Sequence, residues 1–376
     1  MSAPTSPNGH GGPTGHAGPS GQPSHAGHAG QSSQPGHAGP SGHAGPSGHA
    51  GHADHGGPEA RARPASGPSC AVVVETWNLG DPAAAAAGLP RLLAALAPQL
   101  AAAAAELVVT HAGIPAGTRA QLEAAHGRAI RWLELPADAG YYEHKNRGFA
   151  ATTGEIVAFI DGDCAPSPRW LAALTGPIAA GQARVVAGAT TYPGPLAPLA
   201  NELDFPYFDE ARRRRAIADA PPTVRNFFAN NVAFARAVFE AHPYPAVAEM
   251  FHGQCQILGL ELLAAGYTIR FAPEARIVHA WPDGLAEWLE VRLLRGADTV
   301  SLLPHVVAAY APRAAPTVER LGPLPALAVL GLRAATGAWA ALRRGPVVRG
   351  LGLVACVTVL DSIGAAASRT VHRRIG

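Results

Sequence analysis

The stretch VAFIDGDCAPSPRWL, residues 157–171, begins as an apolar run of the kind that makes a buried strand and ends on two aspartates one residue apart. Two carboxylates at the carboxyl end of a strand repel each other and lose hydration unless something positive lies between them. A divalent ion is the first candidate, since hard oxygen ligands suit Mg2+ or Mn2+. Gly162, between Asp161 and Asp163, removes a side chain where phosphates could approach. A D-x-D spacing alone arises often by chance, so its setting has to decide.

Outward from this stretch the chain alternates. Toward the N-terminus, CAVVVETWNL from Cys70 reads as a strand, PAAAAAGLPRLLAALAPQLAAAA as a helix and ELVVTHAG as a strand. A helix at 117–127, the strand AIRWLEL, a loop at 136–147, a helix starting near Arg147 and the strand EIVAFID at 155–161 follow. Strands spaced by helical patterns predict an α/β fold with a mostly parallel central sheet flanked by helices. In such sheets ligands bind beyond the carboxyl ends of the strands, where Asp161 and Asp163 fall.

The totals narrow the function. The 376 residues and 48% apolar content can bury a large core. A net charge of +2, without a basic stripe interleaved with aromatics, argues against nucleic acid as a partner. Four widely spaced cysteines fit neither a zinc spacing nor a secreted disulfide framework, and the N-terminus carries no signal-peptide pattern, which predicts a cytoplasmic working domain. Residues 1–68 repeat Gly, His, Ala, Pro and Ser with almost no large apolar side chain and are expected to be a disordered tail. Its nine histidines, His10 to His55, fit a flexible repeat better than a dedicated metal store.

From about Cys70 to about Asp298 the sequence resembles an inverting glycosyltransferase of family 2, with the GT-A nucleotide-sugar fold. Several matches in order carry the resemblance. VVVETWNL is similar to the first strand and nucleotide-contacting turn, which implies that Glu75, Thr76, Trp77 and Asn78 lie near the base or ribose. YYEHKNRGFAATTGEIVAFIDGDCAPSPRWL resembles the segment that ends in the acidic motif. That match implies Lys145 and Asn146 near the nucleotide, Asp161 on the ribose or metal, and Asp163 on the metal. FFANNVAFARAVFEAHPYP resembles the acceptor-side segment, here with Asn230 and Asn231, and GYTIRFAPEARIVHAWP resembles the late strand whose His279 faces the diphosphate or completes the metal shell.

Such a transfer needs the leaving diphosphate stabilised, which a metal and an imidazole supply, and a base for the acceptor's proton. The family's base sits in an acidic pair, yet Gln254 and Cys255 stand at those positions. Neither titrates usefully at neutral pH, and Glu249 is the nearest carboxylate. Thr110 and His111 likewise replace an aspartate that reads the base. The resemblance therefore implies sugar transfer from a metal-bound nucleotide-sugar donor to a hydroxyl of a glycan, lipid or small molecule. The alternative is a non-catalytic nucleotide-sugar-binding or scaffold protein on the same fold.

Smaller features take plainer readings. Arg212 to Arg215 read as a solvated helix face, Trp170 as packing at a helix start, Cys164 as a small core residue, and Trp281 as an aromatic for sugar or acceptor contact. The 69–300 transferase domain is followed by apolar helices in 301–376. Segments 321–342 and 350–368 are each long enough to cross a bilayer, but Arg333 and Asp361 interrupt them. Two helices lying on a membrane surface, at the inner face of the cell membrane, or on a partner are expected, with a spanning hairpin as the rival.

Overall fold

The computed structural model describes residues 67–79, 82–193, 223–247, 250–280, 285–344 and 346–370. The side chains of Asn78, Pro82, Ala85, Ala86 and Arg344 fall outside that description. The expectations for residues 1–66, Arg212 to Arg215, Glu249 and Trp281 concern positions outside the described residues. Residues Ala62–Gly376 form one compact unit.

Four parallel strands open the sheet: β1 (Cys70–Glu75), β2 (Glu106–His111), β3 (Arg131–Glu134) and β4 (Ile156–Asp161), in the order β3-β2-β1-β4. Every residue of β1 and β4 is buried, as expected of parallel strands covered on both faces. Beyond β4 the sheet turns mixed. It continues through β8 (Val232–Ala235), β6 (Val185–Thr191), β9 (Ile269–His279) and β5 (Cys164–Pro166), with β7 (Thr223–Val224) also pairing β9. β8 runs antiparallel to both β4 and β6 and β5 antiparallel to β9, while β6 and β9 pair parallel, so this half of the sheet mixes both directions. The helices are α1 (Pro82–Ala102), α2 (Ala116–His126), α3 (Tyr141–Ala150), α4 (Trp170–Ala179), α5 (Arg236–Ala241) and α6 (Gln254–Ala264).

α3 begins six residues before the expected start near Arg147. Gly140 precedes it, and Tyr141, Tyr142, Lys145, Gly148 and Phe149 form its buried face at helical spacing. The pattern was hidden because two of its core positions are a lysine and a glycine. The glycine is needed: a Cβ at Gly148 would lie 2.5 Å from Val73 Cγ1, so α3 rests directly on β1. Trp170 does pack at the start of α4, fully buried, and its Nε1–H donates to Asn231 Oδ1 at 2.9 Å.

A long helix, α7 (Leu285–Tyr310), runs through residue 300, where the sequence reading placed a domain boundary. After the short α8 (Ala315–Arg320), α9 (Pro323–Arg344) and α10 (Val347–Ala366) form the apolar pair. α7 and α10 touch backbone to backbone. A Cβ at Gly296 would fall 2.0 Å from the Asp361 carbonyl oxygen, and one at Gly364 2.0 Å from that of Leu293. Because 296 faces 361 while 293 faces 364, the two helices run antiparallel.

Candidate active site

Strand register assembles the site. Glu75 lies between Thr110 of β2 and Asp161 of β4, so three polar residues reach the carboxyl edge side by side. The chain then turns through Gly162, whose N–H donates to the Glu75 carbonyl at 2.8 Å. A Cβ there would come 2.7 Å from Leu79 Cδ1 and 3.2 Å from the Glu75 carbonyl oxygen, so a side chain at 162 would crowd the 75–79 turn. β5 pairs antiparallel with the end of β9, setting Cys164 opposite His279, and the Ala280 N–H donates to the Asp163 carbonyl at 3.1 Å. Cys164 and His279, 115 residues apart in sequence, become neighbours by this pairing.

His279 Nε2 lies 3.0 Å from Asp163 Oδ2 and 4.0 Å from Asp161 Oδ2. Ligand atoms of Asp161, Asp163, Cys164 and His279 all fall within 4.8 Å of one another. Asp161 is tied more tightly than Asp163: Lys145 Nζ is 2.5 Å from its Oδ1, and the Tyr141 hydroxyl donates to the same carboxylate at 3.0 Å. Burial opposes ionisation of Asp161, but the Lys145 charge, followed by His279, outweighs it and holds the carboxyl below its usual range. Glu75 moves the other way, raised well above the carboxylate range by burial and then by the Asp161 charge. Its Oε2 accepts the Trp77 N–H at 2.9 Å, and the carboxyl shares a side-chain hydrogen bond with Asp161.

The donor chemistry fits a divalent ion. Two carboxylates and an imidazole whose buried Nε2 lacks a hydrogen bond of proper geometry converge at one point. Burial resists a charge on His279, and the Asp163 and Asp161 carboxylates overcome that and raise its pKa, which marks the field an ion would enter. Cys164 is the odd member. Burial, then Asp163 and Asp161, push its thiol well up, so it stays protonated and is a poor ligand for a hard cation.

The other expected residues are placed unevenly. Thr76 and Asn230 line a cleft of about 1220 Å³ that also contains Asp161, Asp163 and His279. The Thr76 hydroxyl already donates to the Thr110 carbonyl at 3.0 Å. Asn146 is occupied elsewhere: its amide donates to the Tyr244 carbonyl at 2.9 Å and accepts the Tyr244 N–H at 3.2 Å, pinning the loop after α5. Asn231, fully buried, bridges Trp170 and the Ala275 carbonyl and holds α4 to β9. Gln254 and Cys255 are buried at the start of α6, the Gln254 amide donating to the Met250 carbonyl at 3.1 Å. Thr110 and His111 are spent on backbone contacts, with His111 Nδ1 accepting the Ile114 N–H at 3.1 Å.

The far wall of the cleft comes from α7, which the sequence reading left without a role. Asp298 accepts the backbone N–H groups of Phe251 and His252, each at 2.7 Å, and fixes the loop before α6. Phe251 and His252 in turn pack against Trp77, with ring centroids 5.0 and 6.3 Å away. Burial and then Arg295 hold the His252 imidazole down to about 3, so it is neutral. The available signal was spacing: Glu287, Glu290, Leu294, Asp298 and Leu302 recur every three or four residues, and all line the cleft.

A metal-competent carboxylate pair at the carboxyl edge of an α/β sheet, under a large cleft, is the arrangement of an enzyme that handles a phosphorylated ligand. Residues 72–241 match the family model for glycosyl transferase family 2, so this segment is a glycosyltransferase domain. None of the curated proteins matches the chain. Among solved structures it resembles glucosyl-3-phosphoglycerate synthase from Mycobacterium tuberculosis in complex with phosphoglyceric acid, at 20% identity over 65% of this chain and 80% of that one, with a TM-score of 0.44. The same enzyme with Mn2+, uridine diphosphate and glucosyl-3-phosphoglycerate aligns over the same shares at 20% identity and a TM-score of 0.45. A structure described as a mycobacterial protein aligns at 20% identity over 65% of this chain and 75% of that one, with a TM-score of 0.45.

Proposed function

We propose that the protein transfers a sugar, with inversion, from a nucleotide-sugar donor held with Mg2+ or Mn2+ to a hydroxyl acceptor. The observation that carries this is the Asp163–His279 contact of 3.0 Å at the cleft, beside an Asp161 already neutralised by Lys145. Asp163 and His279, with Asp161 next to them, would hold the ion, which would counter the charge that develops on the leaving diphosphate. The work of Lys145 is to keep Asp161 ionised in a dry site. Glu75, at the carboxyl edge beside Asp161, would meet the nucleoside, and Asn230, whose Oδ1 lies 3.3 Å from the Thr190 hydroxyl, faces the sugar or acceptor. Glu249 is proposed as the base; it stands two residues before Phe251, whose amide Asp298 anchors.

The second reading is a nucleotide-sugar-binding protein without turnover. The occupied amide of Gln254 and the raised thiol pKa of Cys255, due first to burial, favour it, since neither can accept the acceptor's proton. Donor hydrolysis and transfer by the full chain, across a panel of nucleotide sugars with Mn2+, Mg2+ and then EDTA, separates the two. Metal-dependent release of one nucleotide is expected, reduced about 100-fold or more in Asp163→Ala. Metal-dependent donor binding with no release from any donor or acceptor would instead establish the binding protein.

A further inference from the structure

The closing pair of helices presents an outward face that sugar transfer at the Asp163–His279 site leaves unused. On α9 the exposed large side chains are Leu324, Leu332, Trp339 and Leu342; on α10, after Val347 at its first residue, they are Val348, Leu351, Val359 and Ile363. In each helix they recur at multiples of about four residues and so share one stripe. Leu332 is 68% and Val348 85% exposed, values without explanation in an aqueous monomer.

The two charges that interrupt these segments point the other way. Asp361, fully buried, receives Arg292 Nε at 2.9 Å and Nη2 at 2.7 Å from α7, and Arg333 of α9 pairs with the same carboxylate. The stripe between Leu324 and Leu342, and between Leu351 and Ile363, therefore carries no exposed charge. Cations stand at the turn between the helices instead: Arg343 and Arg349 are exposed, and the Arg343 guanidinium lies 4.1 Å over the Trp339 ring. An apolar band ending in tryptophan and arginine matches the boundary between acyl chains and anionic headgroups. The same helices reach the cleft, where Val329 and Arg333 of α9 join Leu302, Leu303 and Val306 of α7 as lining residues.

We propose that the α9–α10 stripe docks the protein on an anionic lipid bilayer, and that the apolar end of the cleft takes the hydrocarbon part of a lipid-anchored acceptor. The acceptor half rests on the transferase reading; the docking half does not. The inward pairing of Asp361 with Arg292 of α7 and Arg333 of α9 leaves the outer stripe apolar and α7 on the other side, which fits helices lying along the surface.

The test is flotation of the full chain with vesicles of phosphatidylcholine and phosphatidylglycerol, against a Leu332→Glu, Trp339→Glu, Val359→Glu triple variant. The parent should float and the variant lose at least tenfold in bound fraction while keeping its circular dichroism and thermal midpoint. Val348→Glu, at the most exposed position, gives the same reading if the triple variant misfolds. A parent that stays in solution, a variant that floats equally well, or a parent dimer that the variant turns into a non-floating monomer would overturn docking. For the acceptor, labelled UDP-glucose and its relatives are supplied with vesicles made from a total lipid extract. Label entering the organic phase supports the lipid-anchored acceptor, and label entering only water-soluble products overturns it. Failure to consume any donor counts against transferase activity, while flotation decides docking independently.

Discussion

Asp161 and Asp163 share a motif but carry different burdens. Asp161 is a buried charge whose partner is Lys145, itself fully buried, so removing the lysine strands the carboxylate. Breaking a buried pair by deleting one partner costs about 3–5 kcal/mol, and Lys145→Ala should lower stability in metal-free urea unfolding by that order. Asp163, half-buried at the cleft, should cost under about 1 kcal/mol when replaced by alanine while abolishing metal dependence. His144 supplies a pH signature. Burial, then Lys145, depresses its pKa to about 4, against about 6.5 in an unfolded chain. The unfolded state therefore binds the extra proton first, and stability falls as pH drops from about 6.5 to about 4, then levels for this group. His144→Gln should flatten that part of the urea-midpoint profile. The sequence displayed Asp161, Asp163 and His279 as candidates, but it did not show that Asn146 is spent on backbone and Asn231 on Trp170 and a backbone carbonyl, because an amide looks the same whether it meets a ligand or the protein itself.

Elements with one dominant period were readable, and those with interrupted periods were not. β1 and β4 are unbroken apolar runs: β4 falls within a residue of its expected bounds and β1 starts at Cys70 as expected, though it ends at Glu75, four residues before the end of the quoted run. α3 was entered late because Lys145 and Gly148 occupy core positions, and α7 was passed over because charges alternate with leucines along its cleft face. The α7–α10 contact depends on glycine at both crossing points. Gly364→Ala places a methyl against the Leu293 carbonyl and should destabilise the protein by about 3 kcal/mol, measured by chemical unfolding, through forced separation of the helices.

At the scale of the molecule, the sheet, the cleft and the helical wall all belong to the unit Ala62–Gly376. A chain beginning at Ala62 should therefore keep the thermal midpoint of the full chain within about 2 °C, less than a 1 kcal/mol change would shift it, and retain metal-dependent donor turnover. The alternation of strands and helices announced the α/β class at this scale. The mixed half of the sheet was not announced, since the short β5, β7 and β8 carry too few residues for a period to register. Nor could sequence tell that α7 and α9 complete the cleft, a fact that depends on how Arg292, Arg333 and Asp361 meet.

Asp298 holds the loop before α6 by the main-chain amides of Phe251 and His252. Such a clasp is indifferent to which side chains stand at 251 and 252, where Phe251 and His252 now face Trp77. The frame can stay rigid while those two side chains are exchanged, so the loop works as a socket. In that socket a lineage can retune what the cleft admits without rebuilding the enzyme around it.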